Sequence, residues 1–373
     1  MNIALFLPDL DCGGAQHTII NLANHLSRRG NDIALVLGRD QGSGRLWLEK
    51  HVPTVSLNQM RLRSMCLPLR KIIKSRKPDV LIATMLDANV VATASIFGLN
   101  SRPVLVLRET NSHRFRPDLG ILRKTAASWA YKSADKVIAL SVGVGHELAT
   151  EYGISQQKIA VIPNPVDINK LSEEVTAARN KPAPWGDRFK DCRIVISVGR
   201  LTEQKGFDLL IDSISMIKQE NVVLVILGDG PDRDILRNKI YHSKMESRVL
   251  MPGYVEKPAD WLVHSELFVL SSRWEGFGHV IIEAMVSGIP VIATDCPYGP
   301  QDIIIHGCNG WLVPSENSKK LSESIMALLL DDRKCESFVK AGKDMAKSFD
   351  AEIIASRYLA LFEELIDKKN ATC

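Results

Sequence analysis

Short runs of Val, Ile, Leu and Ala, apolar almost throughout, alternate with amphipathic helical stretches from one end of the chain to the other. In the first half the runs are Asn2–Leu7, Asp32–Leu37, Asp79–Thr84, Pro103–Leu107, Lys136–Leu140 and Lys158–Ile162. Helical patterns such as Ala15–Arg28, Leu119–Ser133 and Val142–Tyr152 separate them. A continuously apolar strand has no face to give to water, so both faces of its sheet must be covered. Alternation with helices then predicts a parallel, doubly wound α/β sheet.

The pattern breaks once. Pro163 and Pro165, then Lys181-Pro182-Ala183-Pro184-Trp185-Gly186, read as a connection. Alternation restarts with Arg193–Val198, Val222–Leu227, Arg248–Met251, Leu267–Leu270, Pro290–Ala293 and Gly310–Val313. Three helical stretches, Ser318–Leu330, Asp332–Ser348 and Ala351–Asp367, close the chain. The expectation is two Rossmann-like domains, 1–165 and 191–350, joined by a linker at 166–190. The last helix, 351–373, should pack back on the first domain. Ligands of such sheets sit outside the carboxyl ends of the strands, so a cleft between facing domains is the expected site.

With 373 residues, 45% hydrophobic and 24% charged, the chain has ordinary globular composition, which excludes a collagen, a disordered tail and a small disulfide scaffold. Its seven cysteines are odd in number and never spaced CxxC, which fits a reducing compartment and shows no structural zinc site. Met1–Leu7 lacks the basic flank of a signal peptide, and Asp87 and Asn89 break the most apolar window, Val80–Leu99. A cytoplasmic protein is expected. Residues 1–165 carry 21 Lys/Arg against 12 Asp/Glu, while the remainder carries 26 against 31. A basic first half suits an anionic partner.

Three loops carry candidate chemistry. Gly13-Gly14 follows the first strand and opens a helix, where backbone N–H groups can meet a phosphate; a plain tight turn is the other reading. GxGxxG is absent, which argues against a nicotinamide enzyme. Gly199-Arg200 with Lys205-Gly206 sets two cations at the carboxyl end of a strand, suited to a diphosphate or to an ordinary charged loop. Glu275-Gly276-Phe277-Gly278 leads into a helix bearing Glu283, so two carboxylates can face one ligand, and a carboxylate accepts well from paired sugar hydroxyls. Asp9-x-Asp11 and Asp232-x-Asp234 spell a metal-binding DxD. The second pair opens a helix, where capping accounts for it, and no bound metal is expected.

Taken in order, these segments resemble the family 4 retaining glycosyltransferases of the GT-B fold. Pro163-Asn164-Pro165-Val166-Asp167, Gly228-Asp229-Gly230-Pro231 and Gly307-Cys308-Asn309-Gly310-Trp311-Leu312-Val313 add to the likeness. Pro165 stands where the family usually has Gly. The resemblance implies that Arg200 and Lys205 grip the donor diphosphate and that Glu275 holds the transferred sugar. Gly276, Phe277 and Gly278 would offer N–H groups, Glu283 would bind the ribose, and Gly14 would approach the diphosphate from the first domain. Glu275, Arg200 and Lys205 become the catalytic candidates. Many relatives carry a His in the first domain, and the matching stretch here offers Glu109, Thr110, Asn111 and His113 as acceptor-side candidates.

The implied reaction moves a hexose or N-acetylhexosamine from a nucleotide sugar, UDP favoured, to a glycan or polyprenyl-diphosphate-linked acceptor in surface polysaccharide assembly. The nucleotide sugar is a co-substrate, and no cofactor is expected. A nucleotide-sugar 2-epimerase and an inactive membrane-associated scaffold are the alternatives, both disfavoured by the intact Glu275 and Glu283 pattern. Arg61–Lys77 holds seven basic residues and no acidic one, with Leu62, Met65 or Cys66, Leu69, and Ile72 or Ile73 at helical spacing. It reads either as a solvated surface helix or as a basic amphipathic face on the inner surface of an anionic membrane. Nucleic acid is disfavoured, since no binding module accompanies the charge.

Overall fold

The computed structural model describes residues 1–11, 14–110, 112, 114 and 120–372, the side chain of Thr372 excepted. The chain divides into two compact units, Met1–Pro165 with Asp350–Cys373, and Val166–Phe349.

The strands of the first unit are β1 (Asn2–Leu7), β2 (Asp32–Leu37), β3 (Thr54–Ser56), β4 (Val80–Thr84), β5 (Val104–Glu109), β6 (Lys136–Ala139) and β7 (Ile159–Val161). Among the described residues they form a seven-stranded sheet in the order β3-β2-β1-β4-β5-β6-β7, parallel throughout. Its helices are α1 (Gly14–Arg28), α2 (Cys66–Arg76), α3 (Leu86–Ile96), α4 (Ile121–Ser133) and α5 (Val142–Tyr152). The edge strand β3 is absent from the sequence reading. Its three residues are too few to show a pattern, and all are only half-buried.

The second unit opens with α6 (Ile168–Arg179). The stretch whose prolines read as a linker therefore contains a helix, N-capped by Asp167, whose side chain accepts from the Lys170 N–H. Proline marks its flanks only, and Val175 and Ala178 supply a small buried face against Ala259. The strands here are β8 (Arg193–Val198), β9 (Val222–Leu227), β10 (Val249–Gly253), β11 (Leu267–Leu270), β12 (Val291–Asp295) and β13 (Trp311–Pro314). Their order is β10-β9-β8-β11-β12-β13, again parallel. Around them lie α7 (Phe207–Ser215), α8 (Arg233–His242), α9 (Ala259–Leu262), α10 (His279–Ser287), α11 (Pro300–Ile303), α12 (Ser318–Leu329) and α13 (Asp332–Lys347).

The last helix, α14 (Ala351–Thr372), belongs to the first unit. Its Ile354, Ala355, Tyr358 and Phe362 lie in the same core as Ile3, Leu5 and Ile20. Glu352 near its start bonds His25 at 2.7 Å and pairs with Arg29 at 2.8 Å, both on or beside α1. One buried guanidinium ties the ends together. Arg108, at the end of β5 and fully buried, donates to the Tyr358 hydroxyl (3.1 Å), to Thr84 (3.2 Å) and to Asn164. Removing a fully buried Phe typically costs about 3–5 kcal/mol. Phe362→Ala should cost that much in urea unfolding of the first unit, and a loss below about 1 kcal/mol would place α14 outside the core.

Candidate functional site

In the second unit β9 and β11 flank β8, so the chain reverses its direction of winding between β8 and β11. Loops leaving such a switch point diverge and leave a crevice at the carboxyl edge. From β8 comes Gly199-Arg200, followed by a single tight turn, Glu203–Lys205; from β11 comes the segment 271–278. The two loops are stitched together. Ser271 Oγ donates to the Lys205 carbonyl (2.9 Å), Gln204 Nε2 to the Trp274 carbonyl (3.0 Å), and the Arg273 N–H to the Gln204 carbonyl (2.7 Å).

Gly206 permits this packing, and Gly228 permits the matching approach of the loop after β9 to Gly199. Gly206 has φ +59°, and a Cβ there would stand 2.2 Å from the Ser271 carbonyl oxygen. Gly228, at φ +140°, would collide with the Gly199 carbonyl oxygen at 1.9 Å. Neither position admits a side chain without moving backbone.

The result is a buried ion pair. Lys205 Nζ stands 2.6 Å from Glu275 Oε1, with the carboxylate side chain only 6% exposed. Ser272 Oγ donates to the same oxygen at 2.6 Å. Among the described residues no donor bonds Oε2, so that oxygen is available to a ligand. Arg200, close by in sequence, is exposed, and its guanidinium has no partner among the described residues. Gly276, Phe277 and Gly278 are buried and lead directly into α10. The structure thus brings Lys205 and Glu275 together and leaves Arg200 free beside them.

Glu283 lies on α10, a quarter exposed, with its carboxyl pushed up to about 7 by burial and then by the like charge of Glu174. His279, one turn earlier, is pushed down to about 4 by burial. Their 3.8 Å contact is too long for a hydrogen bond. With each group driven towards its neutral form, it is not an ion pair at neutral pH either. The Cys296 thiol, buried near Glu275, is pushed up to about 12 by burial and that carboxylate, which keeps it unreactive.

In the first unit Gly14 begins α1, and beyond its chain neighbours and its own helix backbone no described atom lies within 4 Å of where its Cβ would be. Asn111 and His113 lie outside the described residues. Glu109, at the end of β5, is buried and accepts from the Thr110 N–H (2.9 Å) and the Tyr131 hydroxyl (2.5 Å). Burial, then the Glu109 charge, drives that phenol well above its usual range. Thr110 is also buried. The sequence reading missed Glu147 of α5, which is buried, accepts from Ser112 Oγ (2.5 Å) and the Arg114 N–H (3.2 Å), and so shapes the turn after β5. An acidic residue beside the buried Val144 and Leu148 was its only signal.

Family models match both halves, "Glycosyltransferase Family 4" over residues 12–170 and "Glycosyl transferases group 1" over 185–345. Over 364 residues the chain is 26% identical to N-acetylgalactosamine-N,N'-diacetylbacillosaminyl-diphospho-undecaprenol 4-alpha-N-acetylgalactosaminyltransferase of Campylobacter jejuni, covering 95% of this chain and 97% of the relative. It is 26% identical over 362 residues to the lipopolysaccharide core biosynthesis glycosyltransferase LpsE of Rhizobium meliloti, covering 94% and 95%. Its fold matches that of Anabaena HepE, solved in complex with UDP and glucose, with a TM-score of 0.83 at 24% identity over 97% and 99% of the chains. The chain belongs to the GT-B glycosyltransferases.

The glycosyltransferase engages Asp9, the first residue of its first DxD pair, internally. Asp9 pairs with Arg39 at 3.1 Å and accepts from Gln16 at 3.2 Å and from the Asp11 N–H. Asp232 occupies the N-cap of α8 without accepting a capping bond, contrary to the sequence expectation, because its backbone is already turned towards the helix. Asp234 faces Arg237 at 3.9 Å. Among the described residues no group of three His, Cys, Asp or Glu is arranged to hold a metal ion.

The Glu283 carboxyl, raised from its ordinary 4.5 to about 7, makes a pH-dependent contribution to stability. A carboxyl raised on folding adds stability that is complete below its unfolded value and is lost as the pH rises through the folded value. Glu283→Gln removes that loss. Its melting temperature relative to the wild type should therefore be more favourable at pH 8 than at pH 4. Equal differences at both pH values would show that Glu283 ionises normally.

Proposed function

We propose that this glycosyltransferase moves a hexose or N-acetylhexosamine from a UDP-sugar to a glycan or lipid-linked glycan acceptor, with retention of configuration and without a metal. The observation that carries the reading is the convergence of Lys205 and Ser272 on one oxygen of the buried Glu275, beside the unpartnered Arg200, at the switch point of the second unit. The free Oε2 of Glu275 accepts hydroxyls of the transferred sugar. The N–H groups of the 276–278 turn meet the diphosphate, and Glu283, half-buried on α10, takes the ribose hydroxyls. As the glycosidic bond breaks, negative charge grows on the leaving diphosphate, and cations already in place stabilise that state most. Arg200 and Lys205 supply the charge that a metal would otherwise supply. Retention is supported by the relatives whose names specify α-linked products, since an α product from an α-linked UDP-sugar keeps the configuration.

Lipid-linked acceptors are supported by the same relatives, two of which are named for diphospho-undecaprenol or PP-undecaprenol substrates. The first unit carries a surface that suits them. α2 buries Leu69 and Ile73 and exposes Lys71 and Lys74, with Arg61, Arg63 and Lys77 exposed at its approaches. Leu67, 76% exposed, shares the face of Lys71 and Lys74. Phe97, 69% exposed and edge-on to Trp129, extends the surface beyond α3. Cations around exposed apolar and aromatic side chains are what an anionic bilayer surface attracts, each charge being worth about 1 kcal/mol near it. Among the described residues no helix is long and apolar enough to cross a membrane, so the proposed association is peripheral.

Arg200→Ala and Lys205→Ala should each lower turnover of UDP-sugar by about 10²–10³-fold, the usual effect of removing one preorganised transition-state contact. Wild-type activity should survive excess EDTA. Near-wild-type turnover in either variant would overturn the donor site, and loss in EDTA reversed by magnesium or manganese would overturn metal independence.

For the membrane reading, Arg61, Arg63, Lys71 and Lys74 reversed to Glu should abolish sedimentation with anionic liposomes at low salt and slow transfer to a lipid-linked acceptor. Donor hydrolysis should be spared. Arg70 is excluded from that set because its guanidinium bonds the Ser95 and Phe97 carbonyls (3.2 and 2.6 Å), where it closes the end of α3. A wild-type protein that ignores anionic liposomes would return α2 to a solvated surface helix.

A further inference from the structure

We infer that Arg273 is a positioning residue for the donor site: it fixes the loop on which Lys205 stands, and so sets where the ammonium meets Glu275 and the diphosphate. The inference rests on the donor-site reading above. It concerns a side chain that touches neither Glu275 nor Lys205 and that the sequence pattern did not single out.

The segment after β11 divides its work residue by residue. Ser271 bonds the Lys205 carbonyl and Ser272 the Glu275 carboxylate, both pointing into the site. Arg273 points the other way, along the outside of the neighbouring loop. Its Nη1 and Nη2 donate to the two oxygens of Asp208 at 2.8 and 2.7 Å, in the paired geometry that a guanidinium forms with a carboxylate. Nη1 also donates to the Glu203 carbonyl at 2.9 Å, and Nε stands 2.7 Å from Glu316 Oε1. Every guanidinium nitrogen is engaged, and the side chain is only 17% exposed.

The partners explain the role. Glu203 opens the tight turn that carries Lys205, and Asp208 sits in the first turn of α7 just after it. Arg273 therefore holds the lysine's loop on both sides of the lysine. Between the two anchors its backbone N–H also takes the Gln204 carbonyl. The electrostatics agree with the geometry. Burial alone would raise Asp208, yet Arg273 holds its carboxyl below the usual carboxylate range. Hydrogen bonding to Asp208 drives the guanidinium above the ordinary arginine range. Lysine cannot substitute, because a single ammonium does not span a carboxylate and a carbonyl at fixed angles.

A brace for Lys205 and a general contributor to stability differ in one measurable respect. If Arg273 acts through Lys205, its effect on nucleotide binding depends on Lys205 being present, and the two substitutions are not additive. The experiment is a double-mutant cycle read by calorimetric titration of the full-length protein with UDP and GDP, whichever the wild type binds, together with donor and acceptor KM. Arg273→Met should raise the nucleotide Kd and the donor KM at least tenfold and leave the acceptor KM within twofold. Arg273→Lys should recover less than half of that loss on a logarithmic scale. In a Lys205→Ala background, Arg273→Met should change Kd by less than twofold. Asp208→Asn should reproduce the pattern, and it carries the same comparison if Arg273→Met does not fold.

Wild-type nucleotide affinity in a folded Arg273→Met protein would overturn the inference. An undiminished Arg273→Met effect in the Lys205→Ala background would overturn it as well, since the arginine would then act independently. Failure of the donor-site reading looks different: Lys205→Ala would itself leave Kd unchanged, or neither nucleotide would bind the wild type.

Discussion

A parallel sheet delivers the carboxyl end of every strand to one edge, and the site in the second unit follows from that constraint. Strands in contact at their starts remain in contact at their ends, so loops from β8 and β11 emerge side by side although some seventy residues separate them, as the Lys205–Glu275 contact shows. The sheet order then turns neighbours into a crevice, because the windings on the two sides of β8 run apart. Nothing in either loop alone would bring a lysine to a glutamate. Chain topology does so, and the close approach at Gly206 lets the two loops pack against each other.

A pair as buried as Lys205–Glu275 is weak evidence of stability, since removing two charges from water costs several kcal/mol per ion before their attraction is counted. The structure lowers that cost by supplying Ser272 as a second donor to the carboxylate. It still leaves the other carboxylate oxygen without a described partner, and leaves Arg200 unpaired nearby. On the proposed donor-site reading, such incompleteness has a use. A group held charged and partly unsatisfied interacts more strongly with an incoming diphosphate or hydroxyl than one whose bonds are already complete. Glu283 on α10 shows the opposite tendency, being driven towards its neutral form by burial and the like charge of Glu174.

Much of this was legible in the sequence because the strands announce themselves. Runs such as Val222–Leu227 and Arg193–Val198 are apolar enough to admit only a sheet covered on both faces, and their boundaries agree with the structure. Glycine spacing and charge singled out Arg200, Lys205 and Glu275 on loops and Glu283 on the helix that follows, and the structure brings Lys205 and Glu275 together. What stayed hidden is what depends on partners distant in sequence. β3 has three residues and no pattern. The helix α6 sits between proline clusters that mark only its ends. Arg273 looks like any surface arginine until Asp208 and Glu316 are seen to meet it, and Glu147 looks like a helix-surface acid until its turn is found to bury it. The acceptor candidates show the same limit from the other side. Glu109 was an acceptor-side candidate by its place in the sequence, and in the structure its carboxylate is buried and accepts from the Tyr131 hydroxyl and the Thr110 N–H within the first unit.

The distinction that sorts these residues is engagement rather than residue type. Among the arginines, Arg108 and Arg273 are held by every nitrogen, and Arg102 is locked in a two-point contact with Asp135. A guanidinium in that state is held in one orientation and cannot turn towards a substrate without breaking bonds it already makes, which suits it to fixing geometry. Arg200 makes no such bonds, and neither do Lys71 and Lys74 among the described residues. Their charge is solvated and can be transferred to an anion with little reorganisation. Arg70 lies within the same basic stretch as those lysines yet belongs with the engaged group, because it closes the end of α3. A run of seven basic residues is therefore not one patch of uniform meaning. Part of it builds the fold, and only the remainder is free to meet a partner.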